Sequence, residues 1–394
     1  MRVALFTETF LPRVDGITNT LCHLLRYLDD RSHTALLFAP AGAGERYGAT
    51  PIHTFAGWRF PLYPEFQLIP PWASVEAPLR RFAPDVVHVL NPVTLGLKAI
   101  RTARQLNLPT VASYHTDVPG FMARWGFGWL SPLMEAYMRW VHNQADLNLC
   151  PSEFTLRRLQ RAGYQRLEVW TRAVDTALFS PARRSATWRA RLSRNMPDCT
   201  LLLFVGRLSF EKRVDWIRPA LERLPQVRLA IVGDGPARSA WERHFTGLPV
   251  VFTGTLRGEA LAHAYASADI FVFPAANETM GNVVLEAMAS GLPVVAPHVG
   301  GFTDYATHEE TALLFPAEDH QALTICIARL VNDPALARRL GTAGRARMER
   351  QSWTTVFDKL TAQYERAIHL HNQRSHTRQH RWQLLGCRSR SSSA

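Results

Sequence analysis

Two glutamates eight positions apart, Glu278 and Glu286, flank a short segment whose residue types suit a phosphorylated ligand. The segment follows an apolar run, Ile270–Phe273, that predicts a buried strand, and then a turn at Pro274. A helix is predicted to begin near Gly281. The first backbone N–H groups of a helix lack intrahelical acceptors, so this turn can bind a diphosphate.

The two carboxylates can act on hydroxyl groups, because Glu286 can accept hydrogen bonds from a ribose and Glu278 from a sugar ring. Two glutamates alone would also fit the solvated face of a helix. Their place around a strand–turn–helix unit, followed by a stop at Gly291 and a turn at Gly300–Gly301, favours a binding site. The donor-binding residues predicted in this segment are Thr279, Met280, Gly281, Asn282, Val283 and Glu286.

Two cations, Arg207 and Lys212, follow the first predicted strand of the second half of the chain, Leu201–Val205. Fixed cations at a strand end can stabilise the negative charge that develops on a departing diphosphate. Arginine can bind it with two parallel hydrogen bonds, and lysine acts as a point charge. The alternative is a solvated loop. The position at the carboxyl end of a strand favours the functional interpretation.

The first half offers a second group of polar residues behind its own strands. Gly16, with Asp15 before it, joins the first strand to the first helix and allows close approach of the backbone to a ligand. His115 and Asp117 follow the predicted strand Thr110–Ser113. A lone histidine is more often structural. A position at a strand end is where a ligand-contacting histidine would be expected.

Apolar runs alternate with segments of helical period along the whole chain, which predicts parallel α/β sheets. We expect two doubly wound, Rossmann-like domains that face each other across a cleft, with ligands at the carboxyl ends of the strands. The predicted division is a first domain over 1–171, a connection over 172–197, a second domain over 198–352, a helix over 353–370 that packs on the first domain, and a basic, disordered tail over 371–394.

Composition narrows the class of protein. The 394 residues are 47% hydrophobic, which is enough for two or three domain cores. The five cysteines include no CxxC pair, so a disulfide framework or a zinc site is not expected. No segment resembles a signal peptide or the run of about 20 apolar residues that a membrane span needs. We therefore expect a cytoplasmic protein.

The net charge of +12 is partly carried by the tail after Leu370, which has no acidic residue. The simpler interpretation of these charges is a disordered, solvated tail. The alternative is that the tail binds anionic lipid electrostatically. The basic body suits phosphorylated ligands and peripheral contact with the anionic inner face of the cell membrane. No recognition motif supports binding to nucleic acid.

Several motifs resemble retaining glycosyltransferases of family 4, which have the two-domain GT-B fold. The run Glu278–Asp304 resembles their E-x7-E region nearly throughout, and Gly206–Lys212 resembles their GRL-x-x-E-K loop. Gly233–Pro236 resembles their G-x-G-P turn, and Phe252–Gly254 resembles a strand end whose backbone meets the nucleobase. The resemblance extends from about Phe6 to Asp304, which is most of the chain.

The resemblance implies site roles that the residues alone do not establish. Arg207 and Lys212 would bind the donor diphosphate, and Gly254 would meet its base. Gly16 would let the backbone approach the donor phosphates or the transferred sugar, and Asp15 would contact the donor or acceptor sugar. His115 would lie beside the transferred sugar, with Asp117 near the sugar or the acceptor hydroxyl. Together with Glu278, the residues His115, Arg207 and Lys212 form the predicted catalytic set. Because no Asp-x-Asp motif occurs, no metal and no cofactor are expected.

The resemblance also implies substrates. The opening resembles GDP-mannose-dependent α-mannosyltransferases, and His115–Ser152 resembles lipid-directed members, including sulfoquinovosyl diacylglycerol synthases. We expect a hexose to move from a nucleotide-sugar, GDP-mannose first, to a hydroxyl of a lipid or glycolipid. A UDP-hexose donor, glucosyl or sulfoquinovosyl, with a diacylglycerol acceptor is the alternative. A non-catalytic sugar-nucleotide-binding protein is the alternative of another class.

Overall fold

The computed structural model describes residues 1–13, 16–60, 63–69, 74–122, 126–276, 278 and 280–388. Backbone contacts divide the chain into two units. The N-terminal unit comprises Met1–Pro151, Leu156–Thr171 and Val356–Ala394, and the C-terminal unit comprises Ser152–Thr155 and Arg172–Thr355. Two of the predicted site residues, Asp15 and Thr279, lie outside the described residues.

Strands and helices alternate through most of the N-terminal unit. Its strands are β1 (Arg2–Thr7), β2 (Thr34–Pro40), β3 (Arg46–Tyr47), β4 (Thr50–Phe55), β5 (Trp58–Phe60), β6 (Tyr63–Leu68), β7 (Val86–Leu90), β8 (Thr110–Ser113), β9 (Leu147–Cys150) and β10 (Leu167–Val169). Its helices before the interdomain chain are α1 (Gly16–Asp30), α2 (Glu76–Phe82), α3 (Leu95–Gln105), α4 (Val118–Met122), α5 (Ser131–His142) and α6 (Glu153–Arg161).

The N-terminal sheet is built around β1. Among the described residues eight strands pair in the order β10-β9-β8-β7-β1-β2-β4-β3, parallel except for β3 with β4. Val3–Phe6 of β1 are fully buried, as a central strand covered on both faces requires. The chain first builds the sheet outward from β1 through β2, and it then returns to the other side of β1 with β7. The strand order therefore reverses between β1 and β7.

The C-terminal unit repeats the same alternation. Its strands are β11 (Thr200–Val205), β12 (Val227–Val232), β13 (Val250–Gly254), β14 (Ile270–Val272), β15 (Val294–Pro297) and β16 (Leu313–Phe315). Its helices are α7 (Ala186–Ser193), α8 (Arg218–Arg223), α9 (Arg238–His244), α10 (Gly258–Ser267), α11 (Asn282–Ala289), α12 (His320–Asn332) and α13 (Pro334–Glu349), and α14 (Trp353–Arg388) follows them.

The C-terminal sheet is parallel throughout its described strands, in the order β13-β12-β11-β14-β15-β16. Leu201–Phe204 of β11 are fully buried within an apolar cluster of this unit. Here the order reverses between β11 and β14. A reversal of this kind opens a crevice at the carboxyl ends of the two strands, which is where ligands bind in doubly wound sheets.

Helix α14 returns the chain to the N-terminal unit. It buries one side chain every three or four residues, which is the spacing of a single helix face. These residues are Phe357, Leu360, Tyr364 and Ala367, and Val356 beside the first of them is buried as well. The hydroxyl of Tyr27 on α1 donates a hydrogen bond of 2.6 Å to Asp358. Side chains of α14 thus complete the core of the unit in which the chain begins.

Helix α14 is longer than the sequence analysis predicted. The predicted helix ends at residue 370 and the tail beyond it is disordered, whereas α14 continues to Arg388. No proline or glycine interrupts the sequence before Gly386. The extension also has partners, because His371 and Arg374 lie 3.1 and 3.2 Å from the buried carboxylate of Asp146.

The stretch expected to be an unpatterned connection, 172–197, contains α7. The hydroxyl of Ser185 accepts a hydrogen bond from the backbone N–H of Trp188 and caps this helix. Its buried face includes Arg189, which forms a 2.7 Å ion pair with Asp269. A buried arginine interrupts the apolar pattern, so the helical period is hidden in the sequence. The sequence analysis also missed β3 to β6, α2, α4 and α13.

Candidate functional site

Three loops at the carboxyl ends of β11, β12 and β13 are hydrogen-bonded to one another. The backbone N–H of Leu208 donates to the carbonyl of Asp234, and the N–H of Ala237 donates to the carbonyl of Leu208, both at 2.9 Å. The N–H of Gly233 donates to the carbonyl of Gly254, also at 2.9 Å. Motifs that lie far apart in the sequence therefore form one continuous backbone rim.

Gly233 is required where two of these loops meet. Its φ is +136°, and a Cβ atom built on it would lie 1.9 Å from the carbonyl oxygen of Gly206. Any side chain here would force the loops apart. The G-x-G-P turn is therefore explained by the close approach of β11 and β12.

The ion pair between Lys212 and Glu278 lies where the strand order reverses. Lys212 ends a short 3-10 turn after β11, and Glu278 follows β14. The ammonium group lies 2.8 Å from the carboxylate, and both side chains are largely buried. The same ammonium lies 5.4 Å from the centre of the Phe273 ring, a further favourable contact for a cation. Two of the three predicted catalytic residues of this unit, Lys212 and Glu278, are thus in direct contact.

Helix α11 begins directly after this pair. Gly281 precedes its first residue with φ +75° and ψ +50°, and no side chain caps the helix within the described residues. A Cβ atom on Gly281 would lie 2.9 Å from the ring of Phe302, so both space and backbone conformation select glycine. The first N–H groups of α11, at Asn282 and Val283, lie at the positive end of the helix dipole.

Glu286 is anchored by a tyrosine. The buried hydroxyl of Tyr265 on α10 donates a 2.8 Å hydrogen bond to this carboxylate. Burial raises the pKa of Glu286 to about 7, and the hydrogen bond from Tyr265 opposes that rise. A carboxyl group with this pKa carries an incompletely stabilised negative charge at neutral pH. Hydroxyl donors of a ligand would stabilise that charge.

The other predicted residues are distributed as follows. Arg207 is exposed after β11. Met280 is buried against the C-terminal core. In the N-terminal unit Gly16 is the first residue of α1. His115, two residues beyond β8, accepts or donates a hydrogen bond with Ser113 at 2.8 Å.

Asp117 is already engaged inside the N-terminal unit. Arg158 on α6 lies 3.0 Å from its carboxylate. The hydroxyl of Tyr114 and the backbone N–H of Gly120 both donate to the same carboxylate, at 3.1 and 3.2 Å. Three partners hold this side chain in one orientation. A direct contact of Asp117 with a sugar or an acceptor stays a prediction.

The reversal point of the N-terminal sheet is filled by the protein itself. Glu8, just after β1, is buried and accepts hydrogen bonds from the backbone N–H groups of Val93, Thr94 and Gly96 at 2.7 to 3.2 Å. These groups form the first turn of α3. Burial raises the pKa of Glu8, while its hydrogen bonds lower it. An internal carboxylate thus occupies the position where a phosphate could bind.

Known protein families match both units. The model for "Glycosyltransferase Family 4" matches residues 14–178, and that for "Glycosyl transferases group 1" matches residues 199–333. The chain is 39% identical over 377 residues to a GDP-mannose-dependent alpha-mannosyltransferase of Mycobacterium tuberculosis, covering 93% of this chain and 96% of the relative. It is 36% identical over 381 residues to the sulfoquinovosyl transferase SQD2 of Arabidopsis thaliana, covering 93% and 74%.

The chain belongs to glycosyltransferase family 4. The enzyme class predicted from the sequence, a retaining glycosyltransferase that uses a nucleotide-sugar, is thereby confirmed. The individual roles of the site residues are not tested by these similarities. They stay predictions that rest on the geometry described above.

Solved structures support the fold of this glycosyltransferase. Sucrose-phosphate synthase from Thermosynechococcus elongatus aligns with a TM-score of 0.76 at 22% identity, covering 93% of this chain and 98% of that chain. HepE from Anabaena, solved with UDP, aligns with a TM-score of 0.74 at 18% identity, covering 93% and 100%. The predicted GT-B fold class is therefore confirmed.

Two features of the described residues bear on ligands and membranes. No cluster of three or more histidine, cysteine or acidic side chains that could hold a metal ion occurs there. No helix in the same part of the chain has both the length and the apolar character for crossing a bilayer.

Sequence reasoning missed the residues that support the predicted ones. Tyr265 has the pattern of an ordinary core residue of α10, and only its hydroxyl reveals the contact with Glu286. Phe302, which fixes Gly281, lies in a turn beyond β15. Glu8 follows β1 in the opening segment, where its residue type and position indicate no particular role. Each acts through a contact between distant segments, so no local signal could have identified it.

We expect Glu286→Gln to stabilise the unliganded protein at pH 8. The raised pKa of Glu286 lowers the free energy of unfolding. This loss is absent below about pH 4.5, grows as the pH rises and is complete above about pH 7. Removing the charge should therefore raise the free energy of unfolding at pH 8 by about 1–3 kcal/mol. At pH 4.5 the two proteins should be equally stable. Denaturant unfolding at both pH values measures this difference.

The exposed Glu310→Gln variant is the matched control, and its stability should match wild type at both pH values. Destabilisation of Glu286→Gln at pH 8 would show that the carboxylate is well satisfied without a ligand.

Proposed function

We propose that this glycosyltransferase transfers mannose from GDP-mannose to a hydroxyl group of a lipid or glycolipid. The observation that carries the nucleotide-sugar site is the contact of Lys212 with Glu278 beside the start of α11. The donor is inferred from the 39% and 37% identity to mycobacterial GDP-mannose-dependent alpha-mannosyltransferases. The acceptor class is inferred from relatives whose names include a phosphatidylinositol dimannoside and a monoglucosyldiacylglycerol.

In the proposed reaction the bond between the sugar and the diphosphate breaks, and an acceptor oxygen forms the new bond. The departing nucleoside diphosphate gains negative charge. Lys212, Arg207 and the N-terminus of α11 stabilise that charge, because all are positive and close to the same strand ends. Glu278 holds the ammonium of Lys212 in place and accepts hydrogen bonds from hydroxyl groups of the sugar.

Retention of configuration requires the acceptor to enter on the face from which the diphosphate leaves. We infer that the departing phosphate itself takes the proton of the acceptor hydroxyl. His115 and Asp117 belong to the N-terminal unit and serve the sugar and the acceptor. The cations of the C-terminal unit supply the charge that a metal ion supplies in other transferases, so we propose that turnover does not depend on an added metal ion.

A second donor is favoured by one observation. The chain is 36% identical to a sulfoquinovosyl transferase over 93% of its length, which is nearly the value for the mannosyltransferases. A UDP-hexose with a diacylglycerol acceptor is therefore the second candidate. Both candidates use the same strand-end site, and they differ in the base and the sugar.

The donor screen compares the melting temperature of the protein with GDP, UDP and ADP. A nucleotide at 100 times its Kd stabilises the folded protein by about 2.7 kcal/mol. We expect the largest rise with GDP, followed by mannosyl product from GDP-mannose and a lipid extract in the presence of EDTA. A larger rise with UDP would favour the second candidate. No rise with any of the three would refute nucleotide-sugar binding.

We expect Lys212→Ala to lower turnover roughly 100- to 1,000-fold, because it removes a cation that acts on the leaving group. Lys212→Arg keeps the charge and should retain more activity than the alanine variant. Lys359→Ala, at an exposed lysine of α14, is the control and should behave as wild type. Initial rates at saturating donor measure the effect. Unchanged turnover of Lys212→Ala would contradict its role at the leaving group.

An exposed apolar surface in the N-terminal unit provides a route to a lipid acceptor. Trp129, Leu133 and Trp140 are 76%, 68% and 46% exposed and lie on or just before α5. Large apolar side chains in such a group mark interaction surfaces. We call these three residues the aromatic face.

Charge next to the aromatic face selects its partner. The guanidinium of Arg101 lies 5.3 Å from the centre of the Trp140 ring, and Arg104 and Arg139 are also exposed nearby on α3 and α5. Tryptophan rings favour the headgroup level of a bilayer, and arginines favour anionic lipid. We therefore propose peripheral binding to an anionic membrane through this face.

The membrane proposal is tested with Trp129→Ser, Leu133→Ser and Trp140→Ser combined in one variant. We expect its affinity for vesicles of phosphatidylglycerol to fall at least about 10-fold, since apolar contact area is lost. Stability and the nucleotide-induced shift should be unchanged, because the three side chains are exposed. Ile325→Ser, at an exposed residue of α12, is the control. Vesicle co-sedimentation equal to wild type would exclude the aromatic face.

A further inference from the structure

A buried chain of hydrogen bonds connects α14 to His115. The hydroxyl of Tyr364 on α14 lies 2.8 Å from Nδ1 of His88 on β7. Nε2 of His88 lies 2.9 Å from Oγ of Ser113, the last residue of β8. The same Oγ lies 2.8 Å from Nε2 of His115. Tyr364, His88 and Ser113 are fully buried, so the chain runs through the core of the N-terminal unit.

The hydrogen bond between Tyr364 and His88 determines which group donates at every later step of the hydrogen-bond chain. Burial lowers the pKa of His88 to about 3, so its ring is neutral and has one donor and one acceptor nitrogen. Within the described part of the molecule, His88 is the hydrogen-bond partner of the Tyr364 hydroxyl. If Nδ1 of His88 carried the proton, the hydroxyl proton of Tyr364 would have to find another buried acceptor. An unsatisfied buried donor is unfavourable, so Tyr364 donates to Nδ1.

The remaining steps follow from this direction. Nδ1 of His88 accepts, so its Nε2–H donates to Oγ of Ser113. The hydroxyl proton of Ser113 is then directed to Nε2 of His115. When the ring of His115 is neutral, its own proton must therefore reside on Nδ1.

The ring of Trp170 holds both imidazoles from the side. Its centre lies 5.5 Å from the ring of His88 and 5.4 Å from the ring of His115, edge to face in both cases. Trp170 is buried, directly after β10. The orientation of the His115 ring is thus determined by packing as well as by the hydrogen bond from Ser113.

We propose that Tyr364, His88 and Ser113 are positioning residues that hold His115 as its Nδ1–H tautomer, so that it presents a fixed N–H donor to the transferred sugar. The role toward the sugar rests on the proposed function, whereas the tautomer is a property of the protein without substrate. Through Tyr364, the C-terminal helix α14 becomes part of the catalytic arrangement of the N-terminal unit.

The tautomer is measured by ¹⁵N NMR of histidine-labelled full-length protein at pH 8, with His115 assigned from a His115→Gln sample. We expect the Nδ1–H form of His115 in the wild type. Ser113→Ala removes the hydroxyl that donates to Nε2, so the Nε2–H form should appear. Tyr364→Phe removes the hydroxyl proton that Nδ1 of His88 accepts. It should also increase the Nε2–H form of His115, but less than Ser113→Ala does. Thr102→Val, at a buried hydroxyl of α3, is the matched control and should leave the signals unchanged.

Kinetics distinguish a positioning role from a structural one. Removing a hydrogen-bond partner that orients a metal-binding imidazole typically changes activity by about 10- to 100-fold, and we use the lower end of that range for His115. We therefore expect Ser113→Ala to lower kcat roughly 10-fold, while the KM for the nucleotide-sugar and the thermal shift with nucleotide stay within about twofold of wild type. The nucleotide is assigned to the C-terminal unit, which this variant does not alter.

Two results would overturn the inference. One is an Nε2–H form of His115 in the wild type, and the other is an unchanged tautomer in both Ser113→Ala and Tyr364→Phe. Either result can occur in a fully active transferase, so it is distinct from failure of the proposed function. Conversely, the tautomer of His115 could change as expected in a protein that shows no transferase activity. That result would support the hydrogen-bond chain and refute the proposed function. If Ser113→Ala does not fold, Tyr364→Phe decides the question.

Discussion

The ion pair between Lys212 and Glu278 depends on a reversal of strand order. In a doubly wound parallel sheet, helices cover both faces, so polar groups that must meet a ligand collect at the carboxyl ends of the strands. The order reverses between β11 and β14, and the two loops that leave this point carry the lysine and the glutamate. The rim formed by the loops after β11, β12 and β13 and the start of α11 are arranged around the same point.

Glu286 lowers the stability of the folded protein when no ligand is bound. Glu286 is held by Tyr265 in surroundings that raise the pKa of its carboxyl group to about 7. Gly281 and Gly233 have positive φ, and each allows two segments to approach more closely than a side chain would permit. The raised pKa of Glu286 lowers the stability of the protein at neutral pH, and hydroxyl donors of a ligand would stabilise the charged carboxylate.

The two units have the same architecture and treat their reversal points differently. In the C-terminal unit the first turn of α11 has no side-chain cap among the described residues. In the N-terminal unit the buried carboxylate of Glu8 accepts hydrogen bonds from the first turn of α3. The first turn of α3 is therefore closed by the chain, whereas no described side chain closes the first turn of α11. This difference gives a physical reason for assigning the nucleotide to the C-terminal unit.

The sequence by itself determined the two parallel sheets, most of their strands, the family and the segment from Glu278 to Glu286. The spacing of apolar residues, the ends of strands and the positions of glycines are local signals, and they can be recognised in the sequence alone. The tertiary structure decided which side chains support that segment: Tyr265 under Glu286, Phe302 against Gly281, and the chain from Tyr364 through His88 and Ser113 to His115. It also revealed α7, whose buried Arg189 hides the apolar period, and the continuation of α14 beyond residue 370. These features depend on contacts between segments that are far apart in the chain. The local sequence around each residue does not indicate which distant residue it contacts.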